Sequence, residues 1–413
     1  MMLSENVFKK SNKLFLLFFL LIIAFGGCTK IKVISPDVTV KKVWKKSLYS
    51  VNEFYLVQPS PVLSDVNYDG ILDVVAANAR GFLYAFDGRN GSLLWRFKAE
   101  EGVFTTPAVD DVLGVGGKEI LIGSIDDTLY CLLGERRKLV WTYRAKDDIL
   151  GTPVVLQAAG EGNMNVIAAA GYSLFSLSGK DGSVIWEIEL PAKISSSPAI
   201  EDVNNDDTSE ILIGCENKNL YCIRGEDGKN LWEFKTGDQI LSTPVVKDIT
   251  GDGTKEVIFG SCDNNLYCID GRKGEKIWSF EADDNITARA AVEDVVGTDD
   301  LEIIFTAWDN SVYCLNGSDG KLIWKFKTQS ANISAPRVAE LYDDGKKEVL
   351  VGSIDKSLYC IEADTGALLW KFISRAPIWT TPAVGDIDND GSKEIILSSI
   401  DDRIYCLSTE KKE

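Results

Sequence analysis

Tryptophan recurs along this chain with a fixed period, at positions 44, 95, 141, 186, 232, 278, 324 and 370. After a first gap of 51 residues, every spacing is 45 or 46. Such a period marks a repeat architecture, in which each unit buries its apolar surface against the next. Residues 243–280 show the unit: Thr243-Pro-Val-Val-Lys-Asp-Ile, Lys255-Glu-Val-Ile-Phe-Gly, Asn265-Leu-Tyr-Cys-Ile and Lys276-Ile-Trp-Ser-Phe. These are four short runs rich in Val, Ile, Tyr and Phe, bounded by Gly, Asp and Asn, and they predict four strands. The third and fourth are joined by Asp270-Gly-Arg-Lys-Gly, with glycine where a tight hairpin wants positive φ. Four strands at this period make a β-propeller blade.

The ends fix the number of blades. First-strand signatures begin near Ser60, Thr106, Thr152, Ser197, Thr243, Arg289, Ala335 and Thr381, which is eight. The last unit stops at Tyr405-Cys-Leu407 without a Trp strand, and the first Trp strand has no three strands before it. Residues 41–47 therefore supply the outer strand of blade eight and hide an otherwise exposed edge. The expected fold is all-β: an eight-bladed propeller of four-stranded antiparallel blades over 41–413, closed by an N-terminal strand.

Composition narrows the chemistry. The 413 residues carry 62 acids against 44 bases and no histidine. Without histidine there is no Ser-His-Asp or Cys-His engine and no His-ligated metal. The acidity argues against a nucleic-acid partner, which requires a basic surface. Residues 1–47 hold nine Lys and two acids, so the formal charge of −18 divides into +7 at the N-terminus and −25 on the body.

That N-terminus is an address. Lys9, Lys10 and Lys13 precede an unbroken apolar run, Leu14–Phe25. The run is short for a membrane span and right for a signal-peptide core. Phe25-Gly-Gly-Cys28 resembles a bacterial lipobox, which implies a signal peptide over 1–27, lipidation of Cys28 and an extended tether over 28–40. A plain secretory signal with an incidental cysteine is the alternative. Thr29 after the cysteine favours the outer membrane over the inner, by the sorting rule of such lipoproteins.

The third-to-fourth hairpin of blade one, Ala85-Phe-Asp87-Gly-Arg-Asn-Gly91-Ser-Leu-Leu-Trp95, resembles the tryptophan-docking motif of pyrroloquinoline-quinone-type propeller repeats. Glycine stands four before Trp at 91, 182, 228, 274, 320 and 366, while blade two has Arg137 there. The resemblance spans nearly all of 41–413 and is specific for fold. It implies that the tryptophans are structural, each welding one blade to its neighbour. The family includes quinone-dependent dehydrogenases and non-enzymatic outer-membrane lipoproteins, among them an eight-bladed subunit of the β-barrel assembly machinery. The dehydrogenases floor their pocket with a vicinal disulfide, and no Cys-Cys pair exists here, which counts against a quinone cofactor.

Cys131, Cys222, Cys268, Cys314, Cys360 and Cys406 share one place in the third strand, held by Ala85 and Ser176 in blades one and three. A site that accepts Ala, Ser or Cys selects size, so free buried thiols are expected.

Carboxylate loops are the strongest chemical signal. Blade one carries Asp65, Asn67, Asp69 and Asp73; blade four Asp202, Asn204, Asp206 and Glu210; blade eight Asp386, Asp388, Asp390 and Glu394. Blade five is partial, with Asp248, Asp252 and Glu256; blade seven is weaker, and blades two, three and six lack the pattern. Alternate acids on a tight loop converge on one point and suit Ca²⁺, which takes six to eight oxygens. These loops resemble the calcium loops of FG-GAP propeller repeats, and the implied ion is structural. The competing reading is that Asp and Asn make turns through bonds to their own backbone.

Five residues break the repeat where packing does not dictate them: Phe104, Arg289, Trp308, Arg375 and Trp379. They lie on the face carrying the inter-blade and second-to-third loops, and their aromatic-plus-arginine makeup is that of interface anchors. Local packing compensation is the alternative. The expectation is a non-catalytic, lipid-anchored monomeric scaffold holding a protein or peptide in the cell envelope, with outer-membrane protein assembly implied by resemblance alone. A quinone-dependent oxidoreductase and a carbohydrate-binding surface protein are the alternatives.

Overall fold

The computed structural model describes residues 30–33, 38–48, 59–157, 164–298 and 300–411. Cys28 and the leader lie outside them. The described residues form eight antiparallel sheets and no helix, the expected eight-bladed propeller. In blade five the strands are Val245–Lys247, Glu256–Gly260, Asn265–Asp270 and Lys276–Glu281, hydrogen-bonded in chain order. First strands of successive blades adjoin around a central lumen. Second strands such as Glu256–Gly260 are buried at every residue because a blade lies on both faces. Fourth strands form the rim, and Lys276–Glu281 has no fully buried residue.

Within each blade the small third-strand residue stands directly opposite the tryptophan. Cys268 pairs with Trp278, Ala85 with Trp95, Ser176 with Trp186 and Cys406 with Trp44. A small side chain there leaves room for the indole, which explains why Ala, Ser and Cys interchange. All eight cysteines among the described residues are free thiols, and seven are buried. Burial pushes the Cys215 thiol up to about 12.

Each indole reaches into the following blade. Trp232 lies against Gly274, where an added Cβ would sit 2.7 Å from the ring, and its Nε1–H donates to the Gly271 carbonyl at 2.9 Å. Gly274 has φ +68°, so only glycine meets both demands without strain. The same bond joins Trp44 to Gly88, Trp141 to Gly179, Trp186 to Gly225, Trp278 to Gly317 and Trp324 to Ala363. Two tryptophans depart. Trp95 precedes the hairpin in which Arg137 adopts φ +51°, and its buried Nε1 has no hydrogen-bond partner. Trp370 has no following hairpin, and its Nε1–H donates instead to the Tyr342 hydroxyl at 2.8 Å.

The closing strand runs Val38–Ser47 and pairs with Arg403–Lys411, three residues longer than the expected 41–47. The segment expected to be a bare tether departs further: Lys30–Val33 pairs antiparallel with the outer strand of blade seven, Leu368–Ile373. An outer strand presents a row of unpaired N–H and C=O groups, and an extended segment passing alongside satisfies them. On that covered edge Leu369 is 9 % exposed, against 41 % for Ile323 on the uncovered rim of blade six.

Candidate functional site

The carboxylate loops join first to second strands on one face of the disc. In blade eight, Asp386 accepts the N–H of Asp390 and Gly391, Asp388 that of Asp390, and Asp390 that of Ser392. Glu394 opens the second strand, buried, and accepts the Ile387 N–H at 3.2 Å. The acids therefore do make the turn. Beyond this, carboxylate oxygens of Asp386, Asp388 and Glu394 all lie within 4.8 Å of one another. Burial, then repulsion from Asp388, Asp390 and Asp386, pushes Glu394 up to about 7, and Asp388 is raised as well. A divalent cation would relieve that repulsion, so these three residues fit Ca²⁺.

The other loops are occupied differently. In blade one the Arg89 guanidinium bonds Asp69 at 3.0 Å and Asp87 at 2.7 Å, which puts a cation on the loop already. Asp65 accepts the Asp69 and Gly70 amides, and Asn67 accepts the Asp69 amide. Asp73 accepts the Val66 N–H, while its second oxygen is buried without a partner. Desolvation pushes Asp73 to about 7, with Asp69 and Asp65 adding repulsion. In blade four Asp202 accepts from Asp206 and Asp207, the Asn204 amide donates to Glu210, and the Thr208 hydroxyl holds Asp206 low. In blade five Asp248 accepts from Gly251 and Gly253, Asp252 from Thr254, and Glu256 from Ile249. No three acids of the loop come within 4.8 Å of one another in blades one, four or five.

One element of these loops escaped sequence reasoning. The acid at the head of the second strand persists where the loop pattern is lost, Glu119 accepting the Leu113 N–H and Glu302 the Val295 N–H, as Glu348 of the weaker blade-seven loop accepts that of Leu341. All three are buried. Blade three alone has a different residue in that place, Asn165, which pairs with Leu156 as Glu210 pairs with Glu201. This acid is first a clasp on the loop backbone, and the recurrence of Asp or Glu before each second strand was its signal. A further acidic group, Asp127, Asp147 and Asp148, lies on the opposite face and had no signature in the repeat.

On that opposite face, inter-blade loops run inward from the rim to the lumen. Along the loop entering blade two, Val103 and Thr105 are buried while Phe104 and Thr106 are half-buried. The Thr105 hydroxyl clips the second strand, donating to the Gly123 carbonyl and accepting its N–H; Ser242 does the same with Gly260. Alternate residues therefore turn outward in two concentric positions around the lumen mouth. The outer position holds Phe104, Leu150, Leu241, Ile333 and Trp379. Blade six has Thr287 there, and Trp308 from the neighbouring turn leans in, its Nε1–H donating to the Thr287 hydroxyl at 2.9 Å. Phe104, Trp308 and Trp379 thus share one outer, mostly apolar position around the lumen, which Ser195 interrupts in blade four.

The inner position is a ring of hydroxyls linked blade to blade: Thr381 N–H donates to Ser60, Ser60 N–H to Thr106, and Thr152 N–H to Ser197. Arg289 and Ala335 interrupt it. Arg289 lines a lumen cavity of about 520 Å³ with Thr152, Pro198, Thr243 and the acids Asp110 and Glu201. Arg375 does not join this mouth. It is exposed towards the outer edge of blade eight, where burial first, then Arg403 and Arg375, lower the Lys45 pKa.

Fold and repeat chemistry together define an eight-bladed quinoprotein-like propeller. A family model described as outer membrane protein assembly factor BamB matches residues 79–202 and 309–411, more than half of the chain. The chain belongs to that family. A second model, described as lambda-carrageenase beta-propeller domain, matches residues 166–246 and 245–292. No curated protein matches. Among solved structures, BamB from Moraxella catarrhalis is similar at 16 % identity and a TM-score of 0.63, covering 86 % of this chain and 100 % of that one. The computationally designed Ika8 protein is similar at 14 % identity and 0.67, covering 86 % and 98 %. A europium-containing methanol dehydrogenase is similar at 12 % identity and 0.65, covering 89 % and 93 %. At these identities the structural likenesses concern the fold.

Proposed function

We propose that this protein is a non-catalytic scaffold of the bacterial cell envelope whose inter-blade-loop face holds a protein or peptide partner during outer-membrane protein assembly. The observation that carries the reading is the ring of outward, half-buried apolar residues, Phe104, Leu241, Ile333 and Trp379 with Trp308, around one mouth of the lumen. Desolvated aromatics ringed by polar groups are the composition of interface anchors. Membership in a family described by an assembly factor supports the biological setting. Cys28 is the proposed lipid anchor on the outer membrane, and the propeller acts as a monomer. Asp386, Asp388 and Glu394 hold a structural Ca²⁺, which fixes the blade-eight loop and takes no part in chemistry.

Photocrosslinkers placed at Phe104 and Trp379 in intact envelopes test the reading. A discrete crosslinked partner, with its yield cut at least several-fold by Trp379→Ala, is the expected result. Equal yields from wild type and variant would sink the proposal. A tight complex with pyrroloquinoline quinone, seen as visible absorbance, would overturn the non-catalytic assignment.

A further inference from the structure

Resting on the partner-binding reading, we propose that the lumen mouth beside Arg289 of blade six is a carboxylate pocket for the free C-terminus of a partner peptide ending in an apolar residue. Arg289 is the centre of the argument. It stands where six other blades place Ser or Thr, and it faces a cavity enclosed by the inner strands. No hydrogen-bond or ion-pair partner meets its guanidinium among the described residues, although the chain carries 62 acids. Arg289 is exposed to the lumen, and its guanidinium has five donors in a planar fork that matches a carboxylate.

Its surroundings extend the donor set. Three of the ring hydroxyls, Ser60, Thr106 and Ser197, accept the backbone N–H of the matching residue in the preceding blade. Because Arg289 and Ala335 carry no hydroxyl, the backbone N–H groups of Thr243 and Arg289 have no such acceptor. Arg337, at the head of the next inner strand, is also exposed and without a partner. Two acids, Asp110 and Glu201, line the same cavity; they end their first strands towards the opposite face, and Lys255 engages Glu201 at 2.8 Å.

Geometry selects a chain end. The cavity is walled by blades on every side, so a carboxylate must enter along the axis, leading the chain behind it. A C-terminus does this without doubling back, and its last side chain then meets Leu241, Ile333 and Trp308 on the outer ring. A free carboxylic acid offers the same charge and is separated from the peptide by experiment.

The test uses fluorescence anisotropy with the labelled peptide Ala-Ala-Ala-Leu as free acid and as C-terminal amide. The free acid is expected to bind roughly tenfold or more tighter than the amide, the difference a charge-assisted hydrogen bond supplies. Arg289→Thr, which restores the residue type of the other blades and should fold, is expected to abolish that preference; Arg289→Lys should keep part of it. Equal binding of acid and amide, or an unchanged preference in Arg289→Thr, overturns the proposal. N-acetylleucine competing as well as the peptide also overturns it, assigning the pocket to small acids. Loss of acid preference with the envelope crosslinks intact would discard this pocket alone, whereas absent crosslinks would discard the parent reading.

Discussion

The contact between blades four and five and the one between blades one and two start from the same tryptophan and differ in what receives it. Trp232 meets a glycine and a carbonyl; Trp95 meets a hairpin with arginine in the glycine place and keeps a buried N–H unbonded. At blades seven and eight there is a third solution: Trp370 turns its N–H back to Tyr342 of its own blade, with an added strand outside it. Burial of the ring, complete for Trp370 and partial for Trp232, is common to all three. The hydrogen bond is an addition that one blade does without, as expected when burial contributes about 2–3 kcal/mol and a net hydrogen bond about 1.

The largest effect should come from opening the ring. Deleting residues through Ser47 removes the outer strand of blade eight and is expected to abolish cooperative unfolding in urea. Deleting only residues before Val38 should leave it cooperative with a lowered midpoint. Next, Trp232→Ala is expected to cost about 3–5 kcal/mol in urea denaturation, a large ring removed from a packed site. Trp95→Ala should cost about 1 kcal/mol less, because no hydrogen bond is lost and an unpaired N–H is removed.

Acidity separates the two faces of the disc by a further test. Asp73 and Glu394 are both raised to about 7, chiefly by burial. The folded state then holds protons that the unfolded chain releases above its ordinary carboxylate pKa of about 4. In chelator the stability from these groups is full below about pH 4 and falls as pH rises through about 7. Calcium should reverse the loss at pH 7.5 in the wild type and not in Glu394→Gln, read as melting temperature. The smallest effects belong to the hairpins. Gly274→Ala, forced against Trp232 at positive φ, should cost about 1–3 kcal/mol. Arg137→Gly relieves a left-handed arginine and should stabilise by up to about 1 kcal/mol.

Much of this was legible in the chain. The Trp period gave the blade, the missing eighth Trp strand gave closure, and Arg137 marked the one hairpin where the Trp contact is imperfect. Each rests on a pattern within a single unit. The buried acids Glu119 and Glu302 were passed over because their loops lack the full carboxylate spacing, although they clasp the backbone as Glu394 does. Among the candidate site residues, the grouping of Trp308 with Phe104 and Trp379, and the separation of Arg375 from them, depend on where loops from different blades arrive.

By itself the sequence determined an eight-fold ring of four-stranded blades, because strand alternation, hairpin glycines and the tryptophan period are local and repeat without reference to distant residues. Only the tertiary structure decided that Lys30–Val33 caps the blade-seven edge, that among the carboxylate loops blade eight's draws three acids together, and that Arg289 faces the lumen unpaired. Those outcomes depend on which edges and loop ends become neighbours once the ring closes, and closure joins residues more than three hundred positions apart.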